Sequence, residues 1–319
     1  MIDLTKKKIL VTGAHGFLGS FVMEKLAERG VSRNNVFTPT RREIDLTKRE
    51  NCYRAVKGQE IVIHLAAKVG GSKFNIEKPG ESFYENLVMG VEMMEAARVA
   101  GAEKFVNIGT FCSYPDKPPI PIKEEYFWDG YPEDVNASYG IAKKMLLVQG
   151  NAYRGEYGFN SIYLIPTNIY GPRDNFEYES AHVIPAIVRR VLEAKADGKD
   201  RIVVWGSGKS KREFIYVEDV AEAIVLAVER YDKPDPINIS TGTEISIGEV
   251  VETVRRSAGY DGDIQWDTSR PDKRLQCTLD VSRAEKEFGF KAKTSLEEGI
   301  KKTVDWYTEE MQKSVQDFY

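Results

Sequence analysis

The sequence predicts an α/β protein built on a parallel sheet with helices on both faces. Short apolar runs alternate along the chain with amphipathic stretches of helical period. The apolar runs are continuous rather than alternating, which is typical of strands buried on both sides. The first run leads directly into a glycine-rich turn followed by a helical stretch, as in the first unit of a doubly wound sheet.

The strands and helices of this sheet follow one another in the first half of the chain. Each strand is a run of three to five mostly apolar residues, and each helix repeats apolar residues at helical spacing. The predicted strands are Lys8–Val11, Val36–Thr38, Ile61–Leu65, Phe105–Gly109 and Ser161–Ile165. The predicted helices are Phe17–Arg29, Asn86–Gly101 and Ser138–Tyr157.

The composition of the sequence changes after Pro166, where polar residues, prolines and glycines become frequent. A helix over His182–Ala194 and a strand over Arg201–Trp205 are predicted beyond this point. We therefore divide the chain into residues 1–171, a nucleotide-binding domain, and residues 172–319, a smaller C-terminal substrate lobe. A return to the first domain is expected at about residues 214–240.

Composition excludes several classes of protein. The 319 residues carry a net charge of -4, whereas nucleic-acid-binding proteins usually have an excess of basic residues. The chain contains no apolar run long enough to span a membrane, and its N-terminal stretch lacks the features of a signal peptide. Three dispersed cysteines indicate neither a disulfide framework nor a metal site. These observations predict a cytoplasmic protein that binds no nucleic acid, membrane or metal.

The glycine-rich turn predicts a dinucleotide site. Gly13, Gly16 and Gly19 form a G-x-x-G-x-x-G pattern between the first strand and the first helix. Glycines permit the tight turn and a close approach of the backbone to a pyrophosphate, and the helix N-terminus supplies free N–H groups. The pattern alone is a weak signal, but its place between a strand and a helix makes dinucleotide binding the favoured interpretation.

The end of the second strand bears on the choice between NADP and NAD. NAD sites usually place an acidic residue there, which accepts a hydrogen bond from the ribose 2′-hydroxyl. This chain has Arg41 and Arg42 instead, and a guanidinium suits a 2′-phosphate. We therefore expect NADP, with Arg41 as the phosphate ligand and NAD as the alternative. Asp45 is placed to meet the adenine.

A phenol and an ammonium group are predicted to lie on one helix face. Tyr139 and Lys143 are four residues apart, so their side chains are neighbours on a helix. A lysine cation lowers the pKa of a nearby phenol and prepares it to exchange a proton with a carbonyl or alcohol oxygen. Thr110 adds a hydroxyl after the fourth strand. Together with the glycine turn, these residues favour a dehydrogenase site over a solvated surface pair.

These residues resemble the extended short-chain dehydrogenase/reductase family, and the resemblance covers nearly the whole chain. It rests on TGAHGFLG at 12–19, HLAA at 64–67, YGIAK at 139–143 and PTNIYGP at 166–172. Further motifs point within this family to the epimerase-reductases of GDP-4-keto-6-deoxymannose: KVGG at 68–71, YENL at 84–87, IGTFCSYP at 108–115, DNF at 174–176, HVIPA at 182–186, and WGSG at 205–208 with REF at 212–214. The last three of these are more specific than the dehydrogenase motifs. The resemblance implies a Rossmann-type doubly wound fold and 3,5-epimerisation of the sugar, followed by reduction of its 4-keto group with NADPH.

The resemblance also implies roles for individual residues. Thr110, Tyr139 and Lys143 are the implied reductase residues, and Cys112 and His182 the implied proton-transfer residues for epimerisation. A thiolate and an imidazole can serve as base and acid beside a ketone. The implied substrate contacts are Asn168, His182, Arg190, Trp205 and Arg212. The implied cofactor contacts are Gly13, His15, Gly16, Phe17, Leu18, Gly19, Arg41, Asp45, Leu46, Leu65, Ala66, Ala67, Lys143, Pro166, Asn168 and Ile169.

Alternatives remain open where the chain departs from the family pattern. His15 stands where the family often has an arginine, which keeps NAD as an alternative. Phe111 and Ser113 flank Cys112 where smaller or aliphatic residues are usual, and Arg270–Cys277 lacks part of a basic pattern. A 4-reductase without epimerisation, an NAD-retaining 4-epimerase and a non-catalytic subunit are therefore the alternatives. A homodimer through the helices of Asn86–Gly101 and Ser138–Tyr157 is implied as well.

Overall fold

The computed structural model describes residues 1–269 and 278–316. Its strands are β1 (Ile9–Thr12), β2 (Val36–Phe37), β3 (Ile61–His64), β4 (Lys104–Ile108), β5 (Ser161–Pro166), β6 (Asn168–Tyr170), β7 (Arg201–Trp205), β8 (Lys211–Tyr216), β9 (Ile237–Ile239), β10 (Glu244–Ser246) and β11 (Asp263–Asp267). Its helices are α1 (Phe17–Glu28), α2 (Arg49–Val56), α3 (Gly71–Glu77), α4 (Pro79–Val99), α5 (Asp134–Tyr157), α6 (Val183–Ala196), α7 (Val217–Arg230), α8 (Ile247–Ala258), α9 (Ser282–Phe288) and α10 (Leu296–Gln316).

The main sheet is parallel and has the strand order β2-β1-β3-β4-β5-β9. Alternate residues of β1, β3, β4 and β5 enter two separate apolar clusters: Val106 and Ile108 of β4 pack on one face of the sheet, and Phe105 packs on the other. Because both faces are covered, the four strands β1, β3, β4 and β5 are fully buried. The predicted doubly wound parallel sheet is confirmed.

The remaining described strands form two smaller sheets. One has the order β10-β8-β6, with β6 and β8 parallel and β8 and β10 antiparallel, and the other pairs β11 with β7. The chain returns to the main sheet at β9, whose Ile237 is paired with Leu164 of β5. The boundary between two lobes at residue 171 stays a prediction.

Helix boundaries differ most from the sequence prediction at α4. This helix begins at Pro79, seven residues before the predicted Asn86, and a separate short helix, α3, precedes it. Proline has a fixed φ and no N–H, which suits the first turn of a helix, where the N–H needs no partner within the helix. None of the described helices is long and apolar enough to cross a membrane.

Candidate active site

The glycine turn lies at the carboxyl end of β1 and leads into α1. Gly13 has a φ of 72°, and a β-carbon there would lie 2.9 Å from the backbone nitrogen of Ala66. At Gly19 a β-carbon would lie 2.1 Å from the carbonyl oxygen of Gly13. Glycine is therefore required at both positions, and α1 begins at Phe17 with its first N–H groups directed toward the turn. The shape and the helix end suit a pyrophosphate.

A cleft of about 850 Å³ runs along the carboxyl ends of the main-sheet strands. This is the edge at which ligands bind in open α/β sheets. The cleft brings together these sequence-predicted residues: Gly13, His15, Gly16, Phe17, Leu18, Gly19, Arg41, Asp45, Leu46, Leu65, Ala66, Ala67, Thr110, Cys112, Tyr139, Lys143, Pro166, Asn168, Ile169, His182 and Arg212.

Two basic side chains lie near the end of β2, where we expect the residues that distinguish NADP from NAD. The ring of His15 is hydrogen-bonded through Nε2 to the carbonyl oxygen of Thr38 at 3.0 Å. Arg41 is 65% exposed and pairs with Glu85 of α4 at 3.2 Å. The carboxylate of Asp45 accepts hydrogen bonds from the backbone N–H and hydroxyl of Thr47, which lower its pKa. This end of the cleft therefore offers two basic groups to an anion.

Cys112 lies on a short 3₁₀ turn, Phe111–Ser113, directly after β4. The turn is capped by Thr110, whose Oγ1 accepts a hydrogen bond from the Cys112 N–H at 3.2 Å. It is also held against α5, because the Ser113 hydroxyl donates to the carbonyl oxygen of Gly140 at 2.8 Å. Cys112 is partly exposed and lines the cleft. The turn thus places a hydroxyl and a thiol beside Tyr139.

Tyr139 and Lys143 occupy one face of α5, as their spacing predicted. Burial raises the pKa of the Tyr139 phenol, and the nearby Cys112 raises it further. Burial lowers the pKa of Lys143 to about 8. The expectation that Lys143 would lower the pKa of Tyr139 is wrong for this structure. Removal from water disfavours both charged forms, so it raises the pKa of the phenol and lowers that of the ammonium group.

His182 occupies the N-cap position of α6 without a side-chain capping hydrogen bond, and it lines the cleft with 54% of its side chain exposed. The surrounding protein lowers the pKa of its imidazole by partial desolvation. Because more than half of its side chain is exposed, the imidazole remains accessible to a ligand in the cleft.

Two predicted substrate residues lie outside this cleft. Arg190 and Trp205 line a separate, shallow hollow, in which the Arg190 guanidinium lies 5.7 Å from the centre of the indole ring and donates to the carbonyl oxygen of Val203. Arg190 follows His182 by eight residues, which is about 12 Å along a helix. The sequence prediction grouped these residues as substrate contacts but could not measure this separation.

Asn168 and Arg212 do line the cleft, and both are held by neighbouring residues. Asn168 donates to the carbonyl oxygen of Glu213 at 2.8 Å. Arg212 donates to the Ser210 hydroxyl at 2.8 Å and to the carbonyl oxygen of Lys211. The segment Arg270–Cys277, which the sequence analysis singled out, lies outside the described residues.

Three polar residues in the wall of the cleft were not predicted from the sequence: Asn75, Glu133 and Asn136. Asn136 accepts a hydrogen bond from Asn75 at 3.3 Å and donates one to Glu133 at 3.0 Å. Asn136 precedes Tyr139 by three residues, so helical spacing from the tyrosine would have placed it on the same face. Asn75 belongs to α3, which was not predicted.

The fold and the site define a class of enzyme: a Rossmann-type oxidoreductase with a glycine turn and a tyrosine–lysine pair at one cleft. The model of the NAD dependent epimerase/dehydratase family matches residues 9–240. The chain belongs to this family, and it is an enzyme that uses a nicotinamide cofactor.

Similar proteins narrow the class. The chain is 38% identical over 307 residues to a GDP-L-fucose synthase of Sinorhizobium fredii, covering 96% of each chain. It is similar in structure to a GDP-L-fucose synthetase from Naegleria fowleri bound to NADP, with a TM-score of 0.89, 29% identity and coverage of 97% of this chain and 94% of that one. A GDP-6-OMe-4-keto-L-xylo-heptose reductase from C. jejuni has a TM-score of 0.88 at 28% identity, with coverage of 96% and 99%.

Proposed function

We propose that this enzyme converts GDP-4-keto-6-deoxymannose to GDP-L-fucose by 3,5-epimerisation followed by 4-keto reduction with NADPH. The observation that carries the proposal is that a single cleft is lined by both sets of residues the two reactions need. Thr110, Tyr139 and Lys143 serve the reduction, and Cys112 and His182 serve the epimerisation. The relatives named as a GDP-L-fucose synthase and a GDP-L-fucose synthetase support the same product.

The reduction requires a proton for the oxygen at C4. Bound NADPH supplies the hydride to the carbon. Burial keeps the Tyr139 phenol protonated at neutral pH, which is the form that donates a proton. Lys143 offers its ammonium group to the neighbouring ribose and to the developing tyrosinate, and the Thr110 hydroxyl helps to hold the ketone oxygen.

The epimerisation uses the acidity of the protons at C3 and C5, which the 4-keto group increases. Inversion at each carbon needs a base that removes the proton from one face and an acid that returns one to the other. Cys112 and His182 come from different elements, the turn after β4 and the start of α6, and both reach the cleft. We assign the base to Cys112 and the acid to His182.

NADP is the proposed cofactor. The glycine turn and the cleft fit a dinucleotide. A β-carbon at Gly13 would fill the turn proposed for the pyrophosphate, and the cleft continues to the end of β2. Arg41 and His15 are the candidates to meet the 2′-phosphate, since a charged donor suits that group. Arg41 would exchange its exposed contact with Glu85 for the phosphate.

The nucleotide-sugar would contact Asn168 and Arg212 in the cleft. The guanidinium of Arg212 suits a diphosphate, which is recognised through paired hydrogen bonds. Arg190 and Trp205 would act on this substrate only if it extends beyond the cleft to their hollow.

Hydrogen exchange tests the proposal directly. In D₂O with GDP-4-keto-6-deoxymannose and no NADPH, the enzyme should place deuterium at C3 and C5, as measured by mass spectrometry and NMR of the sugar. Cys112→Ala should lose most of this exchange, because the base is removed. Tyr139→Phe is the matched control, and it should still exchange because its proton serves only the oxygen at C4.

A 4-reductase without epimerisation is the second candidate, favoured by the structural similarity to a heptose 4-keto reductase. Reduction of the ketosugar by an enzyme that leaves C3 and C5 unlabelled would establish this alternative. Cys112 and His182 would then be structural residues.

We also propose a homodimer formed through α4 and α5, whose surfaces expose Tyr84 and Val148 at 61% and 48%. Such apolar exposure on two adjacent helices suits a subunit contact. Sedimentation of the purified enzyme tests this assembly. A cytoplasmic location stays a prediction from composition.

A further inference from the structure

The loop between β6 and α6 is anchored on both sides of Asp174. Arg173, before it, donates to the Ser20 hydroxyl at 3.1 Å and to the Glu24 carboxylate at 2.6 Å on α1. Phe176, after it, stacks on Tyr307 of α10 with ring centres 4.2 Å apart. These contacts hold the backbone of residue 174 in one position between two helices.

The Asp174 carboxyl is buried and incompletely paired. Its side chain is 5% exposed, and Oδ2 has no hydrogen-bond partner among the described residues. Oδ1 accepts a hydrogen bond from the Asn175 N–H at 2.7 Å and lies 4.0 Å from Nδ1 of His182. A buried carboxyl oxygen without a partner costs free energy, so a buried group of this kind calls for an explanation.

Other charged groups near this pair have partners of their own or belong to the cleft. In the same loop, Glu177 and Glu179 lie 3.9 Å from Arg189 and 2.9 Å from Lys73. The cleft that His182 lines also contains the titratable or charged side chains of Cys112, Tyr139, Lys143 and Arg212. Burial raises the pKa of Asp174 to about 7, with no cation contributing.

We propose that Asp174 is a positioning residue for His182, acting through Nδ1 of the imidazole. The carboxylate accepts a hydrogen bond from the Nδ1–H group, which leaves Nε2 directed to the cleft. The pair closes from 4.0 Å to hydrogen-bond distance when the imidazole carries its second proton. This assignment rests on the proposed role of His182 as the epimerisation acid.

The proton balance of the step is simple. The imidazolium releases the proton on Nε2 to the substrate carbon, where the electron pair of the enolate forms the new C–H bond. The Nδ1–H group stays hydrogen-bonded to the Asp174 carboxylate, and the net charge of the pair falls from zero to minus one. The exposed face of His182 takes a new proton from solvent.

Titration of His182 followed by NMR tests the pairing without any assay of activity. The chain has three histidines, His15, His64 and His182, so the ring signals of His182 are those that a His182→Ala variant lacks. Asp174→Asn should lower the proton affinity of His182 about tenfold, because a neighbouring carboxylate favours the imidazolium. Glu177→Gln, in the same loop, is the control and should leave it unchanged.

NMR titration of the wild-type protein provides a second test, which does not depend on whether a variant folds. Its His182 signals should follow two titration steps, one from the imidazole and one from Asp174. A single step, or an Asp174→Asn variant with an unaltered His182 pKa, would overturn the pairing.

Deuterium exchange then tests the catalytic consequence. Asp174→Asn should slow exchange at the sugar carbons at least about tenfold, since an acid without its orienting partner loses part of its contribution. In a His182→Ala background the same change should have no further effect. An equal loss in both backgrounds would overturn the proposal, because Asp174 would then act independently of His182. If the wild type shows no exchange while His182 still titrates with Asp174, the proposed function fails and the pairing stands.

Discussion

Gly140 of α5 and Cys112 of the turn after β4 are packed so closely that a β-carbon at residue 140 would lie 2.6 Å from the Cys112 carbonyl oxygen. This approach brings the turn against the helix beside Tyr139, and the Ser113 hydroxyl donates to the Gly140 carbonyl oxygen at the same place. The proposed epimerisation base and the proposed reduction acid therefore depend on one small residue for their relative position.

Replacing this glycine should be costly, whereas the same change elsewhere on the helix should be favourable. Gly140→Ala should destabilise the protein by about 1–3 kcal/mol through overpacking and slow both reactions. Gly155→Ala, on the same helix with nothing within 4 Å, should stabilise it by about 0.5–1 kcal/mol. Denaturant unfolding of the two variants measures the difference. Equal stabilities would mean that the turn can move away from the helix freely.

Gly13→Val should abolish cofactor binding. The side chain would collide with the backbone of Ala66 and fill the turn proposed for the pyrophosphate. Gly58→Val is the matched control: Gly58 has nearly the same φ, 74° against 72°, but open space around it. Both variants strain the backbone, but only Gly13→Val also causes a collision. The difference between their affinities for NADPH, measured by calorimetric titration, therefore separates the effect of the collision from that of the strain. Unchanged affinity in Gly13→Val would remove the dinucleotide assignment of this turn.

Arg41→Ala should lower the preference for NADPH over NADH about tenfold or more, because a hydrogen bond to a charged group contributes about 1.5–3 kcal/mol. Arg42→Ala is the control, since Arg42 is adjacent and exposed but does not line the cleft. Binding constants for both cofactors provide the measurement. The same preference in Arg41→Ala as in the wild type would point to His15 as the phosphate ligand or to the use of NAD.

Tyr139→Phe should reduce turnover of ketone reduction by about 10²–10⁴-fold, the usual contribution of general acid catalysis. The ring is retained and only the hydroxyl is lost, so cofactor affinity should stay near that of the wild type. Single-turnover oxidation of NADPH measures the chemical step. If Tyr139→Phe retained most of the wild-type turnover, the proton donor would be another residue.

The rate of reduction should fall as the pH rises through about 8. Burial lowers the pKa of Lys143 to about 8, so its ammonium group loses its charge well below the pH at which an exposed lysine would. The profile of kcat/KM for the ketosugar reports this group in the free enzyme. Lys143→Arg keeps the charge and should extend the plateau to higher pH. An unaltered alkaline limb in that variant would assign it to another group.

Local patterns were sufficient for the main sheet and for much of the cleft. Continuous apolar runs predicted β1, β3, β4 and β5, because a strand buried on both faces needs apolar residues at successive positions. The glycine spacing predicted the turn before α1, and the four-residue spacing of Tyr139 and Lys143 predicted their shared face. In each case the information lies within a few residues of chain.

The tertiary structure alone decided the features that depend on distant segments. The hollow of Arg190 and Trp205 is separate from the cleft because two helical turns carry Arg190 away from His182. The pKa of Tyr139 rises because other elements exclude water from the helix face it shares with Lys143. Asp174 is buried because α1 and α10 fasten the residues on either side of it. Burial and separation arise from contacts between parts of the chain far apart in sequence, and local spacing carries no measure of them.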